Sequence, residues 1–139
     1  MTKLFILGAQ DAEMTRIEQV LKVSGEEFAY ATYTKGDEHP RVHAGIAYSA
    51  DALQAPQSTT VVLVECEPAN ISDLRRKADV IIVDHHRPGD PGYNRPASEF
   101  WQSSSIGQVF EILHPDSEPS HDDLLVAAMD AFPDAALKG

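Results

Sequence analysis

Three short apolar runs are the feature that most constrains the fold of this chain of 139 residues. Residues 3–7, 59–65 and 80–83 are each too short for a buried helix, but each is long enough for a strand buried on both faces. Apolar residues recur at helical spacing in the segments between and after these runs. Because strands then alternate with helices, the pattern predicts a three-layer, Rossmann-like α/β domain with a mainly parallel sheet.

The segments around the runs predict the remaining elements. Asp11 stands where a helix cap belongs, ahead of apolar residues at helical spacing that end near Ser24 and Gly25. The aromatic-rich residues 28–33 predict a strand, and the proline- and glycine-rich residues 87–96 predict a shaped loop. Further helices are predicted at residues 71–78, 100–113 and 124–129.

Composition predicts one domain over residues 1–139, because 42% of the chain is hydrophobic. A sheet of this kind usually continues, so either a minimal domain or the N-terminal part of a longer protein is expected. The single cysteine, Cys66, follows an apolar run and is predicted to be a buried small hydrophobic residue in a reducing cytoplasm. No apolar run has the length of a signal peptide or a membrane span, so no membrane partner is expected.

The chain is strongly acidic, with 22 acidic against 11 basic residues and a formal net charge of -11. Such a surface repels phosphate backbones at long range, so binding to long duplex nucleic acid is not expected. Two interpretations stay open. The acids form an ordinary solvated surface, or several of them converge on a divalent metal ion.

Acidic residues and histidines follow all three predicted strands. In open α/β sheets, ligands bind in the crevice outside the carboxyl ends of the strands. Carboxylates and imidazoles together are the ligands that manganese, zinc and iron prefer, and a bound metal can hold a phosphate and activate water. The side chains concerned are Asp11 and Glu13 after the first strand, Glu65 and Glu67 after the second, and Asp84, His85 and His86 after the third. Simpler roles remain open, with Asp11 as a helix cap and Glu67 as an exposed acid.

The stretch VIIVDHH, followed about twenty residues later by SSSIGQVFEIL, resembles the third motif of the DHH phosphoesterase superfamily. That superfamily includes single-strand exonucleases, oligoribonucleases, cyclic-dinucleotide phosphodiesterases and manganese pyrophosphatases. The resemblance implies a phosphoesterase that uses Mn²⁺ or another divalent metal. It would hydrolyse a phosphodiester or phosphoanhydride in a small nucleotide or a short oligonucleotide. The resemblance covers mainly residues 59–114, and more weakly residues 1–25.

The resemblance also implies roles for individual residues. His85 matches a metal-binding histidine. Asp84 matches the acid beside it, which has metal-binding and catalytic roles. His86 matches a catalytic histidine that faces the substrate phosphate. Glu65 takes the place of a metal-bridging aspartate. Asp11 and Glu13 fall where the family's first motif has its two aspartates, and so are expected metal ligands. Substrate binding is expected from His86, Arg87, Ser104 and Ser105, where Arg87 can grip a phosphate in a bidentate manner.

Several positions depart from the family pattern. Gly8 stands where the family often has a histidine, and glutamate replaces aspartate at Glu13 and Glu65. No fourth-motif aspartate is clear, although Asp122, Asp123 and Asp130 lie in the right half of the chain. No counterpart of the family's separate C-terminal domain is expected within residues 1–139. These departures favour an alternative, in which a catalytically degenerate DHH-like domain binds a nucleotide or a protein. A generic nucleotide-binding domain that uses the Gly8 turn ranks last.

Other residues suggest contacts with a ligand. Arg41, His43 and Tyr48 lie between the first two acid-tipped strands. Two interpretations stay open for them: they contact a phosphate or a base, or they are ordinary loop residues exposed to solvent, which is the commoner case for a single histidine in a loop. Trp101 is predicted to belong to the core rather than to a base-stacking surface. The sequence also leaves a homodimer open.

Overall fold

A computed structural model of the chain describes residues 2–56, 59–116 and 118–131. Strands and helices alternate in its first part, and helices fill the second. In chain order the elements are β1 (Thr2–Leu7), α1 (Ala12–Val23), β2 (Glu27–Tyr30), β3 (Thr59–Val64), α2 (Ile71–Lys77), β4 (Asp79–Val83), α3 (Phe100–Ser103), α4 (Ser105–Leu113) and α5 (His121–Ala131). None of the described helices has the length and apolar character needed to cross a membrane.

The four strands form one parallel sheet in the order β2-β1-β3-β4. In its register, Phe5 of β1 pairs with Phe28 of β2 and with Val62 of β3. The prediction of a Rossmann-like α/β fold is confirmed, and the sheet is entirely parallel. In such a sheet the carboxyl ends of all strands lie along one edge, which is where ligands bind in open α/β sheets.

The chain divides into two compact units. The first comprises Met1–Gln10 and Leu21–Ile82, and the second comprises Asp11–Val20 and Val83–Gly139. The core of the first unit forms around β3, in which every residue is buried. Cys66 is also buried there, and its thiol donates to the Ile6 carbonyl at 3.4 Å. The prediction that Cys66 behaves as a buried small hydrophobic residue is therefore confirmed.

In the second unit, the helix predicted over residues 100–113 is broken in two. Ser104 has an extended backbone, and its hydroxyl donates to the Trp101 carbonyl at 2.8 Å and accepts from the Gly107 amide at 3.0 Å. A Cβ atom at Gly107 would overlap the Trp101 carbonyl oxygen. The break therefore depends on a serine cap and on a close backbone approach that only glycine permits.

Other boundaries differ less from the predictions. The strand expected over residues 28–33 ends at Tyr30, and the helix expected over residues 124–129 already begins at His121. Ser120 precedes that helix, and its hydroxyl accepts from the Asp123 amide at 3.1 Å. This cap satisfies one of the amides that a helix start leaves unpaired, which explains why α5 begins earlier than its apolar residues do.

Candidate metal and phosphate site

Asp84, the first residue after β4, organises the turn that carries the two histidines. Its side chain is 1% exposed. The carboxylate oxygen Oδ1 accepts from the backbone amides of His85 and His86, at 2.8 and 3.3 Å. It also lies 2.5 Å from Nδ1 of His86. Through these contacts the Asp84 carboxylate fixes both the turn and the ring of His86.

The backbone of Asp84 is held from α4. The side-chain amide of Gln108 accepts from the Asp84 amide at 3.1 Å and donates to the Asp84 carbonyl at 2.9 Å. Gln108 was not singled out in the sequence, although it lies inside the SSSIGQVFEIL stretch. Its position among the apolar residues of a predicted helix could have indicated this role, because a buried polar side chain is expected to have a hydrogen-bond partner.

The two histidine rings stack against each other, with centroids 4.3 Å apart and planes 33° apart. His85 is half-buried, whereas the side chain of His86 is 46% exposed. Because Nδ1 of His86 faces the Asp84 carboxylate, that nitrogen carries the proton of the neutral ring. The lone pair then belongs to Nε2, which is the arrangement found in histidines that bind metals through Nε2.

The loop after the histidines is fixed by turns and by its approach to α3. The Arg87 amide donates to the Asp90 carboxylate at 2.8 Å, and Gly89 has a φ of 93°. A Cβ at Gly92 would overlap the Ser103 carbonyl oxygen, and the Ser103 hydroxyl donates to the Gly92 carbonyl at 2.7 Å. The proline- and glycine-rich segment is therefore a shaped loop, as predicted, and it places half-buried Arg87 directly after the histidine pair.

The two acids expected from the first motif contact the starts of two helices. The Asp11 carboxylate accepts from the Met14 amide at 2.8 Å, so Asp11 caps α1, as the simpler interpretation predicted. Glu13 is only 1% exposed, and its Oε2 accepts from the Ile106 amide at 3.3 Å in the first turn of α4. Glu13 thereby satisfies one of the amides that the start of that helix leaves unpaired.

Ser104 and Ser105 are both buried at the start of α4. The Ser104 hydroxyl is fully engaged by its cap contacts with Trp101 and Gly107. The Ser105 hydroxyl oxygen has no hydrogen-bond partner among the residues that the structure describes. Of the two serines, Ser105 is the one whose hydroxyl remains for a ligand.

The second unit alone does not assemble the predicted metal site. Among its described histidine, cysteine, aspartate and glutamate side chains, no three place ligand atoms within 4.8 Å of one another. Asp11, Glu13, Asp84 and His85 are therefore not brought together as a complete set of ligands within that unit.

Glu65, in the first unit, directly follows β3 and has a φ of 55°. This left-handed conformation is unfavourable for a residue with a Cβ and is uncommon outside glycine and asparagine. Gly8 packs against the same peptide, because its amide donates to the Val64 carbonyl at 2.9 Å, and a Cβ at position 8 would overlap the Glu65 carbonyl oxygen. A histidine at position 8 is therefore incompatible with this conformation of Glu65.

Arg41 also lies at the carboxyl ends of the strands in the first unit. Its Nε donates to the Gly8 carbonyl at 3.0 Å, and its guanidinium lies 4.1 Å from the ring centroid of Tyr30. His43, in contrast, packs edge-on against Tyr33, with ring centroids 5.7 Å apart. Of the loop residues singled out in the sequence, Arg41 is the one held between two strand ends.

Trp101 and Phe110 of the second unit pack against each other. Trp101 lies with its ring centroid 5.4 Å from that of Phe110, and it is half-buried. This position agrees with the prediction that Trp101 belongs to the core.

A search of protein-family models found none that matches this chain. Searches of curated proteins and of solved structures found no significant match either. The resemblance to the DHH phosphoesterases therefore rests on the residues of this chain alone.

Proposed function

We propose that this chain is a metal-dependent phosphoesterase of the DHH type, which hydrolyses a phosphodiester or phosphoanhydride in a small nucleotide or a short oligonucleotide. The observation that carries the proposal is the pairing of Asp84 with His86 at the end of β4. A buried carboxylate 2.5 Å from Nδ1 orients the ring so that Nε2 serves as the ligand atom. A cytoplasmic location suits the single buried cysteine, Cys66.

We assign two ligands of one divalent ion, Mn²⁺ or a related metal, to His85 and His86, which lie side by side after β4 with ring centroids 4.3 Å apart. Imidazole and carboxylate ligands together suit manganese, zinc or iron. Glu65 stays the carboxylate ligand that the sequence alone predicts. Its unfavourable φ supports a functional role, since strained residues of this kind cluster at functional sites.

A bound divalent ion supplies Lewis-acid stabilisation of a phosphoryl oxygen and lowers the pKa of water. The residues of the chain do the rest. Asp84 acts as a positioning residue that holds the ring of His86, rather than as a metal ligand. Arg87 steadies the substrate phosphate, and the Ser105 hydroxyl donates to it. His86 does not contact the phosphate in this arrangement, because Asp84 and the metal take both of its ring nitrogens. Ser104 is left out of this proposal because its hydroxyl already caps α4.

A second candidate function is a catalytically degenerate module that binds a nucleotide or a protein. The contact that favours it is the one between Glu13 and the Ile106 amide, because a carboxylate used to stabilise a helix is not positioned as a metal ligand. Asp11 likewise caps α1. A site that needed both carboxylates for a second metal would therefore be incomplete.

Metal binding and hydrolysis together test the proposal. Mn²⁺ binding to the purified chain would be followed by electron paramagnetic resonance, and hydrolysis by release of product from a dinucleotide and from pyrophosphate. We expect His85→Ala to lose both properties and His121→Ala, which changes an exposed histidine at the start of α5, to keep both.

The outcomes separate the two functions. If the wild-type chain binds no Mn²⁺, or if His85→Ala hydrolyses as fast as wild type, the phosphoesterase proposal is wrong. Thermal stabilisation by a nucleotide without any dependence on metal would instead support the binding module.

A further inference from the structure

Tyr93 is an exposed aromatic residue in the loop that follows the histidine pair. It is 42% exposed, whereas Phe100, Trp101 and Phe110 of the same unit are half-buried. An aromatic ring in contact with water gains free energy when a ligand covers it, and a tyrosine ring offers both a flat apolar face and a hydroxyl. Tyr93 is therefore the aromatic side chain of this loop that a ligand can reach.

The residue before Tyr93 is anchored to the turn that carries the two histidines. The Gly92 amide donates to the Asp84 carbonyl at 3.0 Å, and the Gly92 carbonyl accepts from the Ser103 hydroxyl at 2.7 Å. Gly92 is buried, and a Cβ there would overlap the Ser103 carbonyl oxygen. Because consecutive Cα atoms are only about 3.8 Å apart, the backbone of Tyr93 lies within about 8 Å of the Asp84 carbonyl.

The backbone on both sides of Tyr93 is held by further hydrogen bonds. The Tyr93 amide donates to the Asp90 carbonyl at 3.1 Å, and the Asp90 carboxylate accepts from the Arg87 amide at 2.8 Å. On the other side, Nε of Arg95 donates to the Pro91 carbonyl at 2.9 Å. A loop that is ordered before the ligand arrives loses little conformational entropy on binding, and this preorganisation favours affinity.

The charge of the chain favours an uncharged group as the partner of Tyr93. With a net charge of -11, the protein repels the phosphate part of a nucleotide at long range. A nucleobase carries no charge, and every nucleobase has a flat face that stacks on an aromatic side chain. Stacking on Tyr93 therefore adds affinity that this repulsion does not reduce.

We propose that Tyr93 stacks on the nucleobase of a nucleotide whose phosphate lies beside His85 and His86. The preferred substrate is then a nucleotide or a short oligonucleotide rather than pyrophosphate. The position of the phosphate rests on the proposed function, whereas the stacking rests on Tyr93 and its anchored loop.

Isothermal titration of the full chain in MnCl₂, with adenosine monophosphate and separately with pyrophosphate, distinguishes the base from the phosphate. We expect Tyr93→Leu to weaken the affinity for adenosine monophosphate about tenfold, because the stacking face is lost, and to leave the affinity for pyrophosphate unchanged. Tyr93→Phe retains a ring and should retain both affinities. The matched control is Tyr30→Leu, which removes an equally exposed tyrosine from the first unit and should change neither affinity.

The hydrolysis assay and the wild-type chain provide two independent measurements. Tyr93→Leu should raise KM for a dinucleotide about tenfold and leave KM for pyrophosphate near the wild-type value. In nuclear magnetic resonance spectra of the wild-type chain, the ring protons of Tyr93 should shift when adenosine monophosphate is added. Unchanged ring resonances reject the stacking.

The titrations can also decide against the proposal. It is overturned if Tyr93→Leu binds adenosine monophosphate as tightly as wild type, or if the wild-type chain binds none. An equal loss of affinity for pyrophosphate overturns it as well, because the change then lies in the loop rather than in a contact with the base. Failure of the wild-type chain to bind Mn²⁺ rejects the proposed function alone, since the adenosine monophosphate titrations can be repeated in a chelator.

Discussion

Glu65 has a left-handed backbone conformation, which few residues other than glycine adopt without strain. At a φ of 55°, its Cβ crowds its own backbone, at a cost of about 1–2 kcal/mol. Replacement by glycine removes this strain but recovers only part of the free energy, because glycine loses more conformational entropy on folding than other residues do. We expect Glu65→Gly to raise the free energy of unfolding by about 0.5–1 kcal/mol, measured by urea denaturation, and to lose Mn²⁺ binding.

In Glu65→Gly the stability is expected to rise while Mn²⁺ binding is lost, so a loss of binding cannot be the result of unfolding. Glu118→Gly, at an exposed position, is the control and should leave Mn²⁺ binding unchanged. If Glu65→Gly is more stable and binds Mn²⁺ as well as wild type, Glu65 is not a ligand.

Asp84 provides a second prediction at the residue scale. In Asp84→Asn the amide oxygen still accepts hydrogen bonds from the turn, but the charge that faces Nδ1 of His86 is gone. Loss of such an orienting carboxylate typically weakens metal affinity about 10–100-fold. We expect that loss in an Mn²⁺ titration, with Asp116→Asn, at an exposed site, as the control. Unchanged affinity would show that Asp84 does not position His86 for a metal.

At the scale of elements, the break between α3 and α4 depends on Gly107. A Cβ there would overlap the Trp101 carbonyl, and a backbone atom of a helix cannot move aside as a flexible side chain can. We expect Gly107→Ala to lower the free energy of unfolding by about 2–3 kcal/mol, measured by urea denaturation. Gly45→Ala is the control, since its Cβ would meet only the ring of His43, and a change within about 0.5 kcal/mol is expected. Equal effects at the two glycines would contradict this explanation.

Helices α1 and α5 are tied by an ion pair between Arg16 and Asp123. The Asp123 carboxylate lies 2.5 Å from Nε of Arg16, and it accepts from the Ser120 hydroxyl at 2.9 Å. Burial raises the pKa of Asp123. The hydrogen bonds from Arg16 and Ser120, together with the charge of Arg16, lower it by more than burial raises it, so the net pKa lies below its usual value.

The lowered pKa of Asp123 has a defined consequence for stability against pH. A carboxyl whose pKa is lower in the folded state contributes stability above its unfolded pKa, near 4, and loses it as the pH falls through the folded pKa. We expect Asp123→Asn to be less stable than wild type at pH 7, with the difference shrinking by pH 3. Urea denaturation at both pH values measures this, with Asp122→Asn as the exposed control. A difference that does not depend on pH would rule out the ion pair as its cause.

The sequence predicted the strands well, because a short apolar run such as residues 59–65 is buried on both faces whatever surrounds it. It did not predict the break at Ser104, since the apolar spacing of residues 100–113 continues through it. The contact of Glu13 with the start of α4 could not be predicted from local sequence patterns either, because its partner, Ile106, lies more than ninety residues away in the chain. The glycine at position 8 looked like the loss of a ligand, whereas it is required by the backbone of Glu65.

At the scale of the whole molecule, the net charge of -11 complicates any test of metal binding. Self-repulsion destabilises a compact acidic chain, so every cation stabilises it to some degree by screening. A specific site behaves differently. Its stabilisation follows the occupancy of the site, and it amounts to about 2.7 kcal/mol when the free metal concentration is a hundred times Kd.

We therefore expect Mn²⁺ to raise the Tm of the wild-type chain above the value reached with NaCl at the same ionic strength. The His85→Ala chain should show only the common screening effect, so its melting temperatures in MnCl₂ and in matched NaCl should coincide. Scanning calorimetry over a series of Mn²⁺ concentrations measures both. If MnCl₂ and NaCl raise the Tm of the wild-type chain equally, the cations act through net charge alone, and the acids and histidines at the strand ends bind no metal specifically.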